Sequence, residues 1–360
     1  VGGGQRFNFS QRAARTPGSL ALVRDDSWNG IHRIELPAIN HKYFETVSHT
    51  LLSALDATRR NFDAVLVCNA ANAFVLPLLR AARIPVAINV DGIERRRRKW
   101  NALGKAVYAI GESFSVLFAD RIVADAHVIA DYYRQRFGAS ATMIPYGSDF
   151  PVEEDSDVLQ RLGIQSRNYI LYVSRFEPEN NPLEVVEAYE EWWSGDQVVG
   201  WSEADASRPL DHPTTRPPLI MLGEARYDKT LEAVLRAHAS ANIIFPGALY
   251  GADYRALQRN ALIYIQATEV GGTHPALIEA MASGGCVLAH DTPENREVGG
   301  DAVGYFSLRP AQTLSGMMSV CLASPERRES MRTAARERAA VRYGWKAVTN
   351  QYEQLFAQLA

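Results

Sequence analysis

The chain of 360 residues contains no uninterrupted apolar run near the roughly 20 residues a membrane-spanning helix needs, which excludes such a helix. Cysteine is scarce. Cys68, Cys286 and Cys321 form no closely spaced metal or redox motif, which excludes a disulfide framework and favours buried, reduced thiols in a reducing compartment. Charge of one sign is lacking too: 38 Lys and Arg stand against 41 Asp and Glu, for a formal net charge of -3. A protein that coats nucleic acid is poorly served by that balance, so no nucleic-acid partner is expected. The P-loop, the GxSxG elbow and the HExxH zinc helix are absent. The opening Val1-Gly2-Gly3-Gly4 is not a GxGxxG fingerprint and reads as a loop. An α/β domain usually opens on a buried strand, so a first strand is expected to lie before residue 1.

What is present is ordinary in bulk and regular in pattern. The apolar fraction is 47% and the charged fraction 22%, values of a folded globular protein. A single core rarely grows to 360 residues, so two domains are expected. Short β-rich runs alternate with helical stretches, the pattern of parallel sheets covered on both faces. Strands are predicted at residues 64–68, 86–90, 121–124 and 141–144, with helices at 73–81, 102–118 and 128–137. Tyr146-Gly147-Ser148-Asp149-Phe150-Pro151 and an acidic stretch at 153–157 then interrupt the rhythm and mark a boundary. Strands resume at 169–173, 219–222, 243–245, 262–265 and 286–289, with helices at 183–193, 229–239, 254–259 and 275–283. Residues 194–217 read as a polar surface insertion and about 325–359 as a helical tail. The expected fold class is α/β, two doubly wound Rossmann-like domains at 1–150 and 151–335, with a helical tail at 336–360. Open α/β sheets bind ligands beyond the carboxyl ends of their strands, so the loops after strands come first.

The strongest local signal is Thr268-Glu269-Val270-Gly271-Gly272-Thr273-His274-Pro275, running into Ala276-Leu277-Ile278-Glu279. A strand ends, Gly271 and Gly272 let the backbone approach a ligand closely, and a helix starts near Pro275. A helix start offers free N–H groups and the positive end of a dipole, which suit a phosphate or sugar hydroxyl. Glu279 lies about a turn into an apolar helix, where an unpaired carboxylate is costly. Two ribose hydroxyls would satisfy it; so would an arginine or nearby amides. His274 fits a ligand contact or a structural role, Thr273 a ligand contact or a helix cap, and Glu269 a cleft role or an exposed acid. The second loop is Ser174-Arg175-Phe176-Glu177-Pro178-Glu179-Asn180-Asn181-Pro182. Arg175 at a strand's carboxyl end could clamp a diphosphate, or pair with Glu177 or Glu179 on the surface. Asn180 could touch a ligand or hold the turn.

The third loop is Asn89-Val90-Asp91-Gly92-Ile93-Glu94, followed by five cations at residues 95–99 and by Trp100. Asp91 ends an apolar strand, where a catalytic or orienting group could face a cleft. Glu94, Arg95, Lys99 and their neighbours could meet an anionic acceptor or an anionic membrane surface, or form a solvated face balanced by acids. Ahead of the first long helix, His41, Lys42, Glu45 and His49 offer an acceptor pocket, and their arrangement does not demand a metal. His290-Asp291 could close the donor side or shape a turn.

Across residues 30 to 306 these loops resemble the retaining glycosyltransferases of family 4, which have the GT-B fold, and within them the bacterial rhamnosyltransferase branch. The resemblance rests on His41-Lys42-Tyr43 through Thr50, Asn89 through Glu94 with Lys99-Trp100, and Ala124-Asp125 with Ile129 through Tyr133. It extends to Ile144-Pro145-Tyr146-Gly147, Arg175 through Asn181, Val270 through Ser283, His290-Asp291 and Asn295 through Val298. It implies a nucleoside diphosphate-sugar donor, dTDP-, UDP- or GDP-linked, on the C-terminal domain and a saccharide or lipid-linked acceptor on the N-terminal one. It also implies a last helix that returns to the first domain, transfer with retention, no cofactor and no metal. Glu279 resembles the ribose-binding glutamate, Arg175 the diphosphate-gripping base, and Asp91 a group near the transferred sugar. The chain departs from the pattern at Gly271, where a glutamate is usual and for which Glu269 could substitute. It departs again near Asn180, where a lysine is usual. The implied activity is transfer of a sugar, with rhamnose from dTDP-rhamnose the specific expectation, in the cytoplasm and with membrane association at its inner face. A nucleotide-sugar epimerase or hydrolase on the same scaffold, or a silent sugar-nucleotide binder, are the rival readings.

Overall fold

The computed structural model describes residues 24–28, 30–39, 44–97, 100–149, 155–194, 216–225, 228–308 and 313–360. A short antiparallel hairpin, β1 (Arg24–Trp28) with β2 (Ile31–Glu35), comes first. A four-stranded parallel sheet follows in the order β3 (Val65–Cys68), β4 (Val86–Val90), β5 (Arg121–Ala124), β6 (Thr142–Met143). Helices α1 (Phe44–Ala57), α2 (Leu76–Ala81), α3 (Ala102–Phe118) and α4 (His127–Phe137) accompany it. The strands expected at 86–90 and 121–124 and the helix at 102–118 appear with those bounds. The helix expected at 73–81 is split, because residues Ala70–Val75 wind as a tighter 3-10 turn whose start Asn69 caps by accepting from the Ala71 amide (2.9 Å).

The second sheet has six parallel strands. Its strands are β7 (Ile170–Val173), β8 (Leu219–Leu222), β9 (Ile243–Gly247), β10 (Ile263–Gln266), β11 (Val287–His290) and β12 (Gly304–Phe306). Read from β9 the spatial order is β9-β8-β7-β10-β11-β12. The chain therefore winds outward from β7 in one direction, then returns to its other side at β10. That reversal between β7 and β10 is a topological switch point, where the loops diverge and leave a crevice. Helices α5 (Val158–Leu162), α6 (Pro182–Ser194), α7 (Lys229–Ala237), α8 (Gly251–Asn260), α9 (Pro275–Ala282), α10 (Pro293–Gly299), α11 (Leu314–Ala323) and α12 (Pro325–Arg342) cover its faces. Two cores result. Tyr169, Leu171, Tyr264 and Val287 face one way, with α8, α9 and α12; Ile170, Tyr172, Ile263 and Leu288 face the other, with α6 and α11. Burial on both faces explains why these strands read as continuous apolar runs. Cys286 and Cys321 are buried and Cys68 is exposed; all three are free thiols.

The last helix, α13 (Trp345–Leu359), leaves the second sheet and packs under the first. Val348 and Leu355 are buried against Ala87, Val123 and Ile144, on the face opposite α1, α2 and α4. Tyr352 accepts a hydrogen bond at its hydroxyl from the Asn89 amide (3.1 Å), and the Ser148 amide donates to the Tyr343 carbonyl (2.6 Å). One stretch of chain thus pins both sheets. The insertion expected at 194–217 lies almost wholly outside the described residues. Leu355→Ala should lower the stability of the folded chain by about 3 kcal/mol, the usual cost of a cavity left by a buried leucine. A lowered thermal midpoint checks this; an unchanged midpoint would show that the α13 contact contributes nothing to holding the fold.

Candidate functional site

Parallel strands of both sheets end on one seam, and the loops that follow them meet there. Two loops flank the β7/β10 switch point, residues 174–181 and 267–274, and backbone and side-chain bonds stitch them together. Asn181 sits in the left-handed region (φ 53°) and donates its side-chain amide to the Ala267 carbonyl (2.7 Å). The Glu269 amide donates to the Glu179 carbonyl (2.9 Å). The Asn180 side chain donates to the Arg175 carbonyl (2.7 Å), while its own carbonyl accepts from the Tyr172 hydroxyl (2.8 Å). Asn180 therefore holds the turn from which Arg175 projects. The Arg175 side chain is 66% exposed, with Glu177 at 3.9 Å, so its guanidinium stands largely free to reach an anion.

Gly271 and Gly272 leave no space on their outer side. A Cβ at Gly271 would overlap the His274 ring, and one at Gly272 would overlap the Asp125 carboxylate. Gly92, after β4, packs against the same loop, where its Cβ position lies 3.5 Å from the Gly271 Cα. Asp125, directly after β5, is buried. Its Oδ2 accepts from the Thr273 amide (3.0 Å), and its backbone carbonyl accepts from the Thr273 hydroxyl. The contact is answered from the other side. Glu297 in α10 accepts from the His127 and Val128 amides (2.6 and 3.0 Å) and so caps the start of α4. Each domain thus supplies a carboxylate to backbone amides of the other.

Charge at the seam is mostly negative. Arg97 is the cation that gathers it: Glu94 at 2.7 Å, Glu177 at 3.4 Å and Glu179 at 3.6 Å surround its guanidinium. Glu179 is fully buried, and its carboxylate has no hydrogen-bond partner among the described residues. Arg95 turns inward to Glu112 (3.3 Å) and the Tyr132 hydroxyl (2.9 Å), and Arg96 lies over the Tyr132 ring. Arg95 and Arg97 of the basic run are thus matched by acids of the protein itself; Arg98 and Lys99 lie outside the described residues. Burial, then the neighbouring Glu94, raises the Asp91 carboxyl above its ordinary range. Burial and the Asp91 charge push Asp125 up to about 7. Burial, with Arg97 adding to it, lowers His274 to about 4, so its ring is neutral near pH 7.

Glu279, in α9, accepts a hydrogen bond from the Tyr254 hydroxyl, which also accepts from the Gln258 side chain (2.8 Å). A tyrosine hydroxyl is therefore one partner of this carboxylate. His290 stacks on Phe306, while Asp291 pairs with Arg296. Glu45 and His49 are exposed on α1, which lies beside the segment after β3 through a Thr50–Asn72 hydrogen bond (3.0 Å). His41 and Lys42 lie outside the described residues. No group of three or more His, Cys, Asp or Glu among the described residues is arranged to hold a metal. Asp125, Glu179, Arg97 and Glu297 appear in the motifs read from the sequence but were not singled out as site residues. The signal for Asp125 was available: like Asp91, it directly follows an apolar strand. Glu179 and Arg97 find one another across 82 residues of chain, and nothing local announces that.

A family model described as "Glycosyl transferases group 1" matches residues 156–338, and a domain of unknown function (DUF1972) matches residues 64–149. Among solved structures, sucrose-phosphate synthase from Thermosynechococcus elongatus superposes with a TM-score of 0.72 at 17% identity, over 93% of this chain and 84% of that one. HepE from Anabaena, in complex with UDP-glucose, superposes with a TM-score of 0.69 at 14% identity, over 87% and 82%. No curated protein sequence matches the chain. At these identities the likeness carries the fold: two Rossmann-like domains about a central cleft, the GT-B arrangement.

The arrangement makes two measurable demands. Arg97→Ala leaves Glu179 buried without its cation, which should cost about 3 kcal/mol or more and lower the thermal midpoint; an unchanged midpoint would show that the ion cluster holds nothing. Asp125 lends its stabilisation in the protonated form, fully below about pH 4 and lost as pH rises through about 7. Asp125→Asn should therefore raise the midpoint more at pH 8 than at pH 4, and an equal change at both would contradict the buried-acid assignment.

Proposed function

The chain belongs to the glycosyl transferases group 1 family, and we propose that it moves a hexosyl group, rhamnose from dTDP-rhamnose as the first candidate, to a saccharide or lipid-linked saccharide with retention of configuration. The observation that carries this reading is the seam itself. Arg175, the glycine loop and Glu279 converge beside the switch point of the C-terminal sheet, opposite the strand ends that present Asp91. In this reading residues 151–335 hold the donor, residues 1–150 the acceptor, and the tail at 336–360 couples the two. Glu279 meets the ribose hydroxyls, and Arg175 with the amides of residues 271–273 takes the diphosphate charge as it develops. His274 lines the donor pocket as a neutral ring, and Asn180 supports it through the Arg175 turn. Glu269 stands at the donor loop's entrance, where the family's usual glutamate is replaced by Gly271.

In the step itself, the bond from the anomeric carbon to the phosphate oxygen breaks, and the acceptor oxygen bonds to that carbon on the same face. The acceptor's proton passes to a donor phosphate oxygen, so no protein base is needed. Asp91 orients the sugar or the acceptor. Closure over the reacting atoms excludes water and limits hydrolysis of the donor. Holding charge with arginine and backbone amides leaves no step that calls for a metal.

The acceptor side favours a lipid-linked substrate at an anionic inner membrane face. Leu103, Val107, Ile110 and Leu117 are exposed along one side of α3, Lys105 beside them is exposed too, and the acid of that helix, Glu112, is buried. Such a face suits shallow insertion among anionic headgroups. No helix among the described residues is long and apolar enough to cross a membrane. Sedimentation with phosphatidylglycerol vesicles should carry the protein down, and Ile110→Ser with Leu103→Ser should weaken that; binding unchanged by the pair would overturn the α3 assignment.

Calorimetry with dTDP, UDP, GDP and their common sugars tests the donor reading. Selective binding of dTDP-rhamnose supports it, and preference for another sugar nucleotide retains the transferase but replaces the sugar. Glu279→Ala should weaken nucleotide binding at least tenfold, as loss of charged hydrogen bonds does. A folded variant with unchanged affinity would overturn the role of Glu279.

A further inference from the structure

Resting on the donor reading above, we propose that Asp125, on the acceptor domain, orients the transferred sugar by accepting its hydroxyl hydrogen bonds at the glycine loop.

The argument begins with the loop. Gly272 carries no side chain because the Asp125 carboxylate occupies the space a Cβ would need. A side chain at 272 and the carboxylate exclude one another. The acid at this point of the donor loop is thus delivered across the cleft, from the end of β5. One of its oxygens, Oδ2, is fixed by the Thr273 amide at 3.0 Å. The other, Oδ1, is buried and has no hydrogen-bond partner among the described residues. A residue 1% exposed does not leave a carboxylate oxygen unmatched without cost. The carboxylate is anchored at Oδ2, while Oδ1, set against the Gly272 backbone, keeps an unused acceptor that a hydroxyl meets once the loop shifts from it.

The surroundings indicate what donor it takes. Asp91, at the end of the neighbouring strand, is close enough to raise the Asp125 carboxyl, so two acids converge on the same loop. Gly92 brings the Asp91 turn into contact with Gly271. Two carboxylates together repel a phosphate and attract hydroxyl protons. Of the seam's cations, Arg175 follows β7, and Arg97, whose charge also reaches Asp91 and His274, is already surrounded by Glu94, Glu177 and Glu179. The exposed cation left for an anion is Arg175, and the acids Asp91 and Asp125 form a side suited to hydroxyls. A neutral polyol on the second side and a diphosphate on the first describe a sugar nucleotide laid across the seam. Asp125 also burdens the fold by burying an acid, and such a burden is common where function requires the group.

The test compares two affinities in each protein. Calorimetry measures UDP against UDP-glucose and dTDP against dTDP-rhamnose, in wild type, Asp125→Asn and Asp125→Ala. In wild type the sugar should tighten binding of one of these pairs. At pH 8, where Asp125 is ionised, Asp125→Ala should reduce that sugar nucleotide's affinity about tenfold or more, the worth of a charge-assisted hydrogen bond. Affinity for the matching diphosphate should stay within about twofold. Asp125→Asn keeps one acceptor oxygen and should fall between. Equal losses for diphosphate and sugar nucleotide would make Asp125 a contact that only holds the domains together, and no loss in either would also overturn the proposal. A wild type in which the sugar adds nothing would overturn it as well. Failure of wild type to bind any of the four ligands is a separate result, which overturns the donor reading and this inference with it. Circular dichroism and thermal melting of both variants confirm that a loss is not one of folding.

Discussion

Everything at the seam depends on a backbone fact: two adjacent glycines, Gly271 and Gly272, let the loop after β10 lie flat against the other domain. Their bare Cα atoms admit the His274 ring on one side and the Asp125 carboxylate on the other, and Gly92 closes in from β4. A side chain at 271 would displace the His274 ring, and one at 272 the Asp125 carboxylate of the other domain. With the sheets together, Asp125 reaches the Thr273 amide and Glu297 reaches the start of α4. The exchange is reciprocal, each domain lending a carboxylate to the exposed N–H groups of the other. Such contacts are polar and few. They hold a closed arrangement while leaving reopening affordable, as ligand entry and release require.

The electrostatics follow from that closeness. Acids from both domains crowd one seam, and Arg97 answers three of them at once. A cationic run that looked like a surface feature is instead drawn into the protein. Arg95 and Arg97 each satisfy a buried acid, Glu112 and Glu179, and their neighbour Arg96 rests on an aromatic ring. Asp91 and Asp125 have raised carboxyl pKa values, first through burial and then through a neighbouring acid, Glu94 for Asp91 and Asp91 for Asp125. Shifts of this kind gather where chemistry is done.

Much of the fold was legible because its strands are buried on both faces and read as unbroken apolar runs. The strands at 86–90, 121–124 and 219–222 and the helix at 102–118 could be read with their observed bounds. The hairpin β1–β2, strand β12 and helix α10 were not, since short or polar segments carry little periodicity, nor was α11, which is apolar on most sides and so shows no amphipathic period. At the site, the loops were legible from strand ends and glycines, because topology puts ligands there. The pairings were not. Glu279 finds Tyr254 and Glu179 finds Arg97, and both meetings are made by tertiary structure, far beyond any spacing rule. Asn180 shows the opposite case: a turn-forming residue does local work, holding the loop that projects Arg175.

The central claim is that one ligand is gripped from both sides of this seam. Hydrogen exchange, with and without whichever sugar nucleotide of the dTDP, UDP and GDP series binds tightest, measures it directly. The account predicts slowed exchange in residues 174–181 and 267–283 of the donor side, together with residues 91–97 and 125–128 across the cleft. Protection confined to segments away from these loops, or absent from all of them, would contradict it.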